Sequence, residues 1–193
     1  HWTFSQGYIY LVAGTLDVSA VAAIAATRLL VMPINLLSSG IGTLMLPLSS
    51  GWLHRHGAPL LWRRLMWFGF GLAGIALCYF MTLWLLRDWI FDIVLKKQFA
   101  QRDQLLILWS LAFLVMVVRD QLIYLLVVRG RFHFLTSLAF VTAVLSLTIS
   151  YWGMLRFGTA GALLGVLAGE IINLAGIVWL SFREAERAEP AVA

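Results

Sequence analysis

FLVMVVRDQLIYLLVV, residues 113–128, is an apolar run with an arginine and an aspartate, Arg119 and Asp120, near its middle. A run of this kind belongs in a bilayer, where an ionised side chain is costly and points by default to a partner or a wet cavity. Whether the rest of the chain also belongs there decides the fold. If it does, the charged pair separates a passive anchor from a machine that moves something charged.

The composition answers for the whole chain. Of its 193 residues, 62% are hydrophobic and 12% charged, against about 45–50% and about 25% in soluble domains. The mean hydropathy of +0.90 agrees. This is the profile of an integral membrane protein. The formal charge of +5 would suit a nucleic-acid partner, but the basic residues lie between apolar runs and not in one patch. They read as topogenic charge, with no nucleic-acid role. A single cysteine, Cys78, excludes an internal disulfide framework and a multi-cysteine metal site; it reads as a small packing residue. The chain starts at His1 without a charged n-region or a cleavage site. No signal peptide is expected at its start, and the chain is expected to begin inside a longer protein.

Runs of about 20 apolar residues cross the hydrocarbon core as helices. Six are expected here, at 5–16, 19–47, 64–86, 105–128, 134–155 and 160–182, with a polar tail at 183–193. The first is short. The second is long and carries Pro33, which removes a backbone hydrogen bond and is expected to bend it. These continuous runs are twice the length of barrel strands, so the fold class is all-α: a polytopic six-helix bundle. An even number of spans places both termini on one side. Arg55, Arg63, Arg64, Arg129, Arg131, Arg183 and Arg187 share that side, and Arg87, Lys96, Lys97, Arg102 and Arg156 the other. This bias favours cytoplasmic termini.

Some motifs mislead. GFGLAG, residues 69–74, matches a dinucleotide fingerprint but lies inside a span, not between a strand and a helix; its glycines are expected to permit close helix contact. The histidines of HRH, 54–56, are two apart and do not share a helix face. No catalytic triad sequence, Walker sequence or HExxH occurs. No metal, cofactor or enzymatic site is expected.

More informative are Gly161, Gly165 and Gly169, which recur every four residues in the last span and lay down a smooth packing stripe. Four ionisable residues lie within spans: Arg28, Arg119, Asp120 and Glu170. At 1.5 Å per residue, Arg28, Arg119 and Glu170 fall at similar depth. Two arrangements suit them. One is a salt bridge, Arg119 to Glu170, pinning helices together. The other is a hydrated cavity where the arginines, planar and permanently charged, meet an anion, while Asp120 and Glu170 balance the charge or couple transport to an ion. Arg119 and Asp120 point about 100° apart, so Asp120 is expected to meet Tyr124 or a basic group on another helix.

AAIAATRLLVMPINLLSSGIGTLMLPLSS, residues 22–50, resembles the second helix of a lobe in the multidrug/oligosaccharidyl-lipid/polysaccharide exporter superfamily. There, small residues lead through a mid-helix proline to P-x-S at the helix end, here Pro47, Leu48 and Ser49. RFGTAGALLGVLAGEIIN resembles that family's last helix, opening at Phe157, Gly158, Gly161 and Ala162. LLVVRGRFHFLTSLAF resembles the short basic turn between a lobe's fourth and fifth helices. Within the superfamily the chain is most similar to Wzx-type polysaccharide flippases. The resemblance implies the C-terminal six-helix lobe of a two-lobe transporter, lacking the N-terminal lobe, in a bacterial inner membrane. The implied partner is a polyprenyl-pyrophosphate-linked oligosaccharide, bound in the cavity by Arg28 and Arg119, with Pro33 flexing as the lobes rock. Two rivals stand beside it, with a non-transporting scaffold as a further alternative. A drug/cation antiporter would have a cavity dominated by carboxylates. A polymerase or glycosyltransferase of the same pathway would need acids outside the membrane, and only Asp88, Asp92 and Asp103 are offered by the 87–104 loop.

Overall fold

The computed structural model describes residues 2–94 and 101–186, and throughout them the chain is helical or in short turns. His1, Lys96, Lys97, Arg187 and residues 188–193 of the expected tail lie outside the described residues. In order come α1 (Trp2–Thr15), α2 (Val18–Leu85), the short α3 (Arg87–Trp89), a π-helical turn (Ile90–Val94), α4 (Arg102–Val128), α5 (Phe132–Phe157) and α6 (Thr159–Glu186). Four helices are long and apolar enough to cross a membrane: Ser19–Leu85, Arg102–Val128, Phe132–Phe157 and Thr159–Glu184. The chain is an all-helical membrane protein. At 14 residues, α1 reaches about 21 Å, short of the hydrocarbon core.

The 68 residues of α2 are not one rod. Gly57 has φ 75° and ψ 176°, a region of backbone space open essentially to glycine alone. On either side the chain folds back on itself: the Tyr79 hydroxyl donates to the Leu30 carbonyl at 2.7 Å. Forty-nine residues of straight helix would hold those groups about 73 Å apart. Element α2 is thus a hairpin with arms 18–56 and 58–85. Pro59 falls in the first turn of the second arm, where its missing N–H is not needed.

This corrects one expected boundary. The segment 48–63, expected as a loop, is helical except at Gly57. Pro47 does not end the first arm because Leu48, Trp52 and Leu53 continue the apolar pattern past it. Pro33 lies in helical backbone, and Gly57 is the residue of α2 with non-helical φ/ψ. The break falls where glycine relieves steric strain, not where proline removes one hydrogen bond.

At the end of α4, the Gly130 N–H donates to Val127 (2.9 Å) and the Arg131 N–H to Leu126 (3.0 Å). With Gly130 at φ 68° this is a Schellman cap. A single residue, Gly158, joins α5 to α6. The two helices run back together with each step along α6 matched by an equal step down α5. A Cβ on Gly161 would lie 2.6 Å from the Met154 nitrogen, and one on Gly169 2.6 Å from Ser146 Cβ. Ser146 donates its hydroxyl to the Gly165 carbonyl and Ser150 to that of Ala162, both at 2.9 Å. The glycine stripe of α6 is a packing seam, as its spacing predicts.

Helix α4 packs against both α2 and α6, while α5 leans on α6 and barely meets α4. One apolar core gathers around Trp109, Phe113, Val31, Phe80 and Leu106, and a second around Leu61, Leu65, Leu122, Leu125 and Ile177. Of the glycines in 69–74, Gly69 meets Gln121 and Val118 of α4, whereas Gly71 and Gly74 have nothing beside them among the described residues. Cys78 is exposed on the outside of the bundle, not in the packing position its size suggested. Helix α6 continues past residue 182 to Glu186, because Glu184 is buried there between two arginines: Arg129 at 2.8 Å and Arg131 at 2.9 Å.

Candidate functional site: an ion cluster beside a cavity within the bundle

α5 inclines to α6 and away from α4, which leaves a cavity of about 460 Å³. Its walls include Arg28 from the first arm of α2; Trp109, Phe113 and Arg119 from α4; and Ser146, Glu170 and Asn173 from α5 and α6. Three of the four ionisable residues expected inside spans therefore meet at one cavity. They meet because packed helices place equal rises at equal heights.

The side chain of Arg119 is only 3% exposed. Its Nε and Nη2 donate to one oxygen of Asp120, at 3.1 and 2.7 Å, and its Nη1 donates to Glu170 across the α4–α6 crossing. The expected Arg119–Glu170 bridge is therefore present at the cavity wall. Asp120 is paired as well, with its own neighbour. The expectation that these two residues face apart is corrected for a physical reason. Successive Cβ atoms diverge by about 100°, but the long arginine stem carries the guanidinium back round the helix. Asp120 is therefore occupied, while the Tyr124 hydroxyl lies against Gly42 of α2.

Also at the cavity, the Arg28 guanidinium lies 5.6 Å from the centre of the Trp109 ring, within cation–π range. Arg28 also lines a smaller apolar cleft of about 240 Å³, shared with Ile9 and Val12 of α1. It stands on the partition between the two spaces. The two arginines and two carboxylates carry no net charge together.

Sequence reasoning passed over Trp109 and Asn173. The signals were present: Trp109, Phe113 and Met116 lead to Arg119 at near-helical spacing, and Asn173 lies three residues beyond Glu170 on the same face. It also passed over Gln121, which is fully buried. Neither amide atom of Gln121 has a hydrogen-bond partner among the described residues. Away from the cavity, Asp88, Asp92 and Asp103 are drawn into ion pairs with Arg87 and Arg102, the closest being Arg102–Asp88 at 2.6 Å. His54 and His56 are exposed just before Gly57.

No protein-family model, curated protein or solved structure matches the chain.

Proposed function

We propose that the chain is one six-span lobe of a two-lobe membrane transporter, a flippase carrying polyprenyl-pyrophosphate-linked oligosaccharides across a bacterial inner membrane for surface-polysaccharide assembly. One observation carries the reading: Arg28, Arg119 and Glu170 line a single cavity inside a bundle of membrane-length helices. Polar walls are expensive in lipid, and a cavity is where they earn a function. The α2 hairpin at Gly57 supplies two of the proposed spans and α4, α5 and α6 three more; α1, shorter than the hydrocarbon core, takes the sixth place. A partner lobe would close the other side of the cavity, so that cargo binds between halves near the midplane.

Arg28 is the first contact for the anionic group, since its guanidinium faces the cavity across Trp109. Arg119 enters when the anion displaces one of its carboxylates. Asp120 and Glu170 keep the empty cavity neutral, which prevents an unpaired charge from standing in lipid. The termini are cytoplasmic in this reading, because the larger set of arginines lies at their end.

The test is flipping of a pyrophosphate-linked oligosaccharide in vesicles containing the protein as the cell makes it. Arg28→Gln is expected to abolish flipping while helical content and insertion persist. Unchanged flipping would remove Arg28 from the cargo path. Transport of organic cations in place of the lipid-linked sugar would move the chain to the antiporters of the same superfamily.

A further inference from the structure

The two ends of the bundle differ in charge. At the Gly57 end, the described residues hold Arg55, Arg63, Arg64, Arg129, Arg131 and Arg183 against Glu184 and Glu186, a balance of +4. At the other end, Arg87, Arg102 and Arg156 face Asp17, Asp88, Asp92 and Asp103, a balance of −1. The chain folds so as to concentrate the first set. Trp62 meets Phe182 edge-on at 5.9 Å, which brings the start of the second α2 arm, with Arg63 and Arg64, to the end of α6, with Arg183. Glu184 draws in the α4–α5 turn through Arg129 and Arg131. It does so from a buried position, so the one acid at the centre is already engaged.

Arg55, Arg63, Arg64 and Arg183 have no carboxylate partner among the described residues. Two of them lie over indole rings instead: Arg183 on Trp179 at 4.3 Å and Arg64 on Trp52 at 5.1 Å. Trp179 and Phe182 are themselves exposed. A guanidinium held over tryptophan at the end of an apolar helix suits the headgroup level, where its donors can meet the polar layer while the ring meets apolar surface. A polyanion in solution would match the charge but leave that apolar rim bare.

We propose that this end of the bundle is a binding site for anionic phospholipid headgroups, with Arg55, Arg63, Arg64 and Arg183 as its phosphate-facing residues. The site is separate from the cavity and does not depend on what the cavity carries. Each arginine near an anionic surface strengthens attachment by roughly fivefold.

The experiment is a lipid titration of the full chain in mild detergent, followed by native mass spectrometry and thermal unfolding, with phosphatidylglycerol and phosphatidylcholine as probes. Phosphatidylglycerol is expected to be retained and to stabilise the protein at more than about tenfold lower concentration than phosphatidylcholine. The variant with all four residues changed to Gln should lose that preference, and Arg156→Gln, at the opposite end, should keep it. If the fourfold variant does not fold, Arg63→Gln and Arg183→Gln singly should each weaken retention by roughly fivefold. Equal retention of both lipids by the wild type would overturn the site. So would a preference that survives loss of the arginines, which would leave them as topology signals alone, or one that disappears with Arg156.

Discussion

Two seams meet on α6, one residue apart. Through Gly169 and its predecessors the helix lies against α5 with almost no side chain between the backbones, and serine hydroxyls close the contact. Through Glu170 it reaches α4 by an ion pair set in a cavity wall. The first seam holds by proximity and would tolerate no added volume. The second holds by charge and leaves space. A helix can be fixed to one neighbour and articulated against another by changing a single residue's chemistry at the same height.

The sharpest way to break this contrast is Arg119→Met. It removes a cation and leaves Asp120 and Glu170 facing each other, which should cost about 3–5 kcal/mol, read as a lowered midpoint of thermal unfolding in detergent. The triple variant Arg119→Met, Asp120→Asn, Glu170→Gln should recover most of that loss, because a removed triad leaves no buried charge behind. If it unfolds as readily as the single variant, the cluster is not an electrostatic unit.

Next in size is Gly165→Val, which adds volume where the glycine faces Ser150. It should destabilise by about 1–3 kcal/mol and separate α5 from α6, measured as faster cross-linking by long reagents and slower by short ones. Gly57→Ala acts elsewhere but on a similar scale, about 1–3 kcal/mol, since alanine cannot adopt φ 75° and ψ 176° without strain; a native midpoint would mean the α2 hairpin turns by another route. Ser150→Ala, which loses the bond to the Ala162 carbonyl, should cost only about 0.6 kcal/mol, read as a small drop in the unfolding midpoint. Smallest is Gln121→Met: replacing an amide that has no protein partner among the described residues should be neutral or slightly stabilising. A loss above about 1 kcal/mol would show that the amide is satisfied by a bound water.

Helices and the glycine seam were legible because their signals are periodic: apolar runs fix where lipid-facing segments lie, and a four-residue glycine repeat fixes which face packs. The depth of Arg28, Arg119 and Glu170 was legible too, from rise per residue alone. What escaped depends on side-chain reach and backbone strain. Asp120 was placed away from Arg119 because an angle between Cβ vectors ignores the length of a guanidinium stem. Gly57 was lost inside an expected loop, since one residue at unusual φ leaves no trace in hydropathy. Glu184 falls in the expected polar tail, because nothing in the sequence marks it as the partner of two arginines more than fifty residues away.

The contiguity of Arg119 and Asp120 also bears on how the protein is made. Glu170 lies 51 residues downstream, and at about 5–20 residues per second it emerges roughly 3–10 s later. During that interval α4 must enter the bilayer without its distant carboxylate. Asp120, already on the same helix and within reach, gives the nascent segment a neutral pair to carry across the lipid, and the later arrival of α6 completes an arrangement that biosynthesis has kept viable from the start.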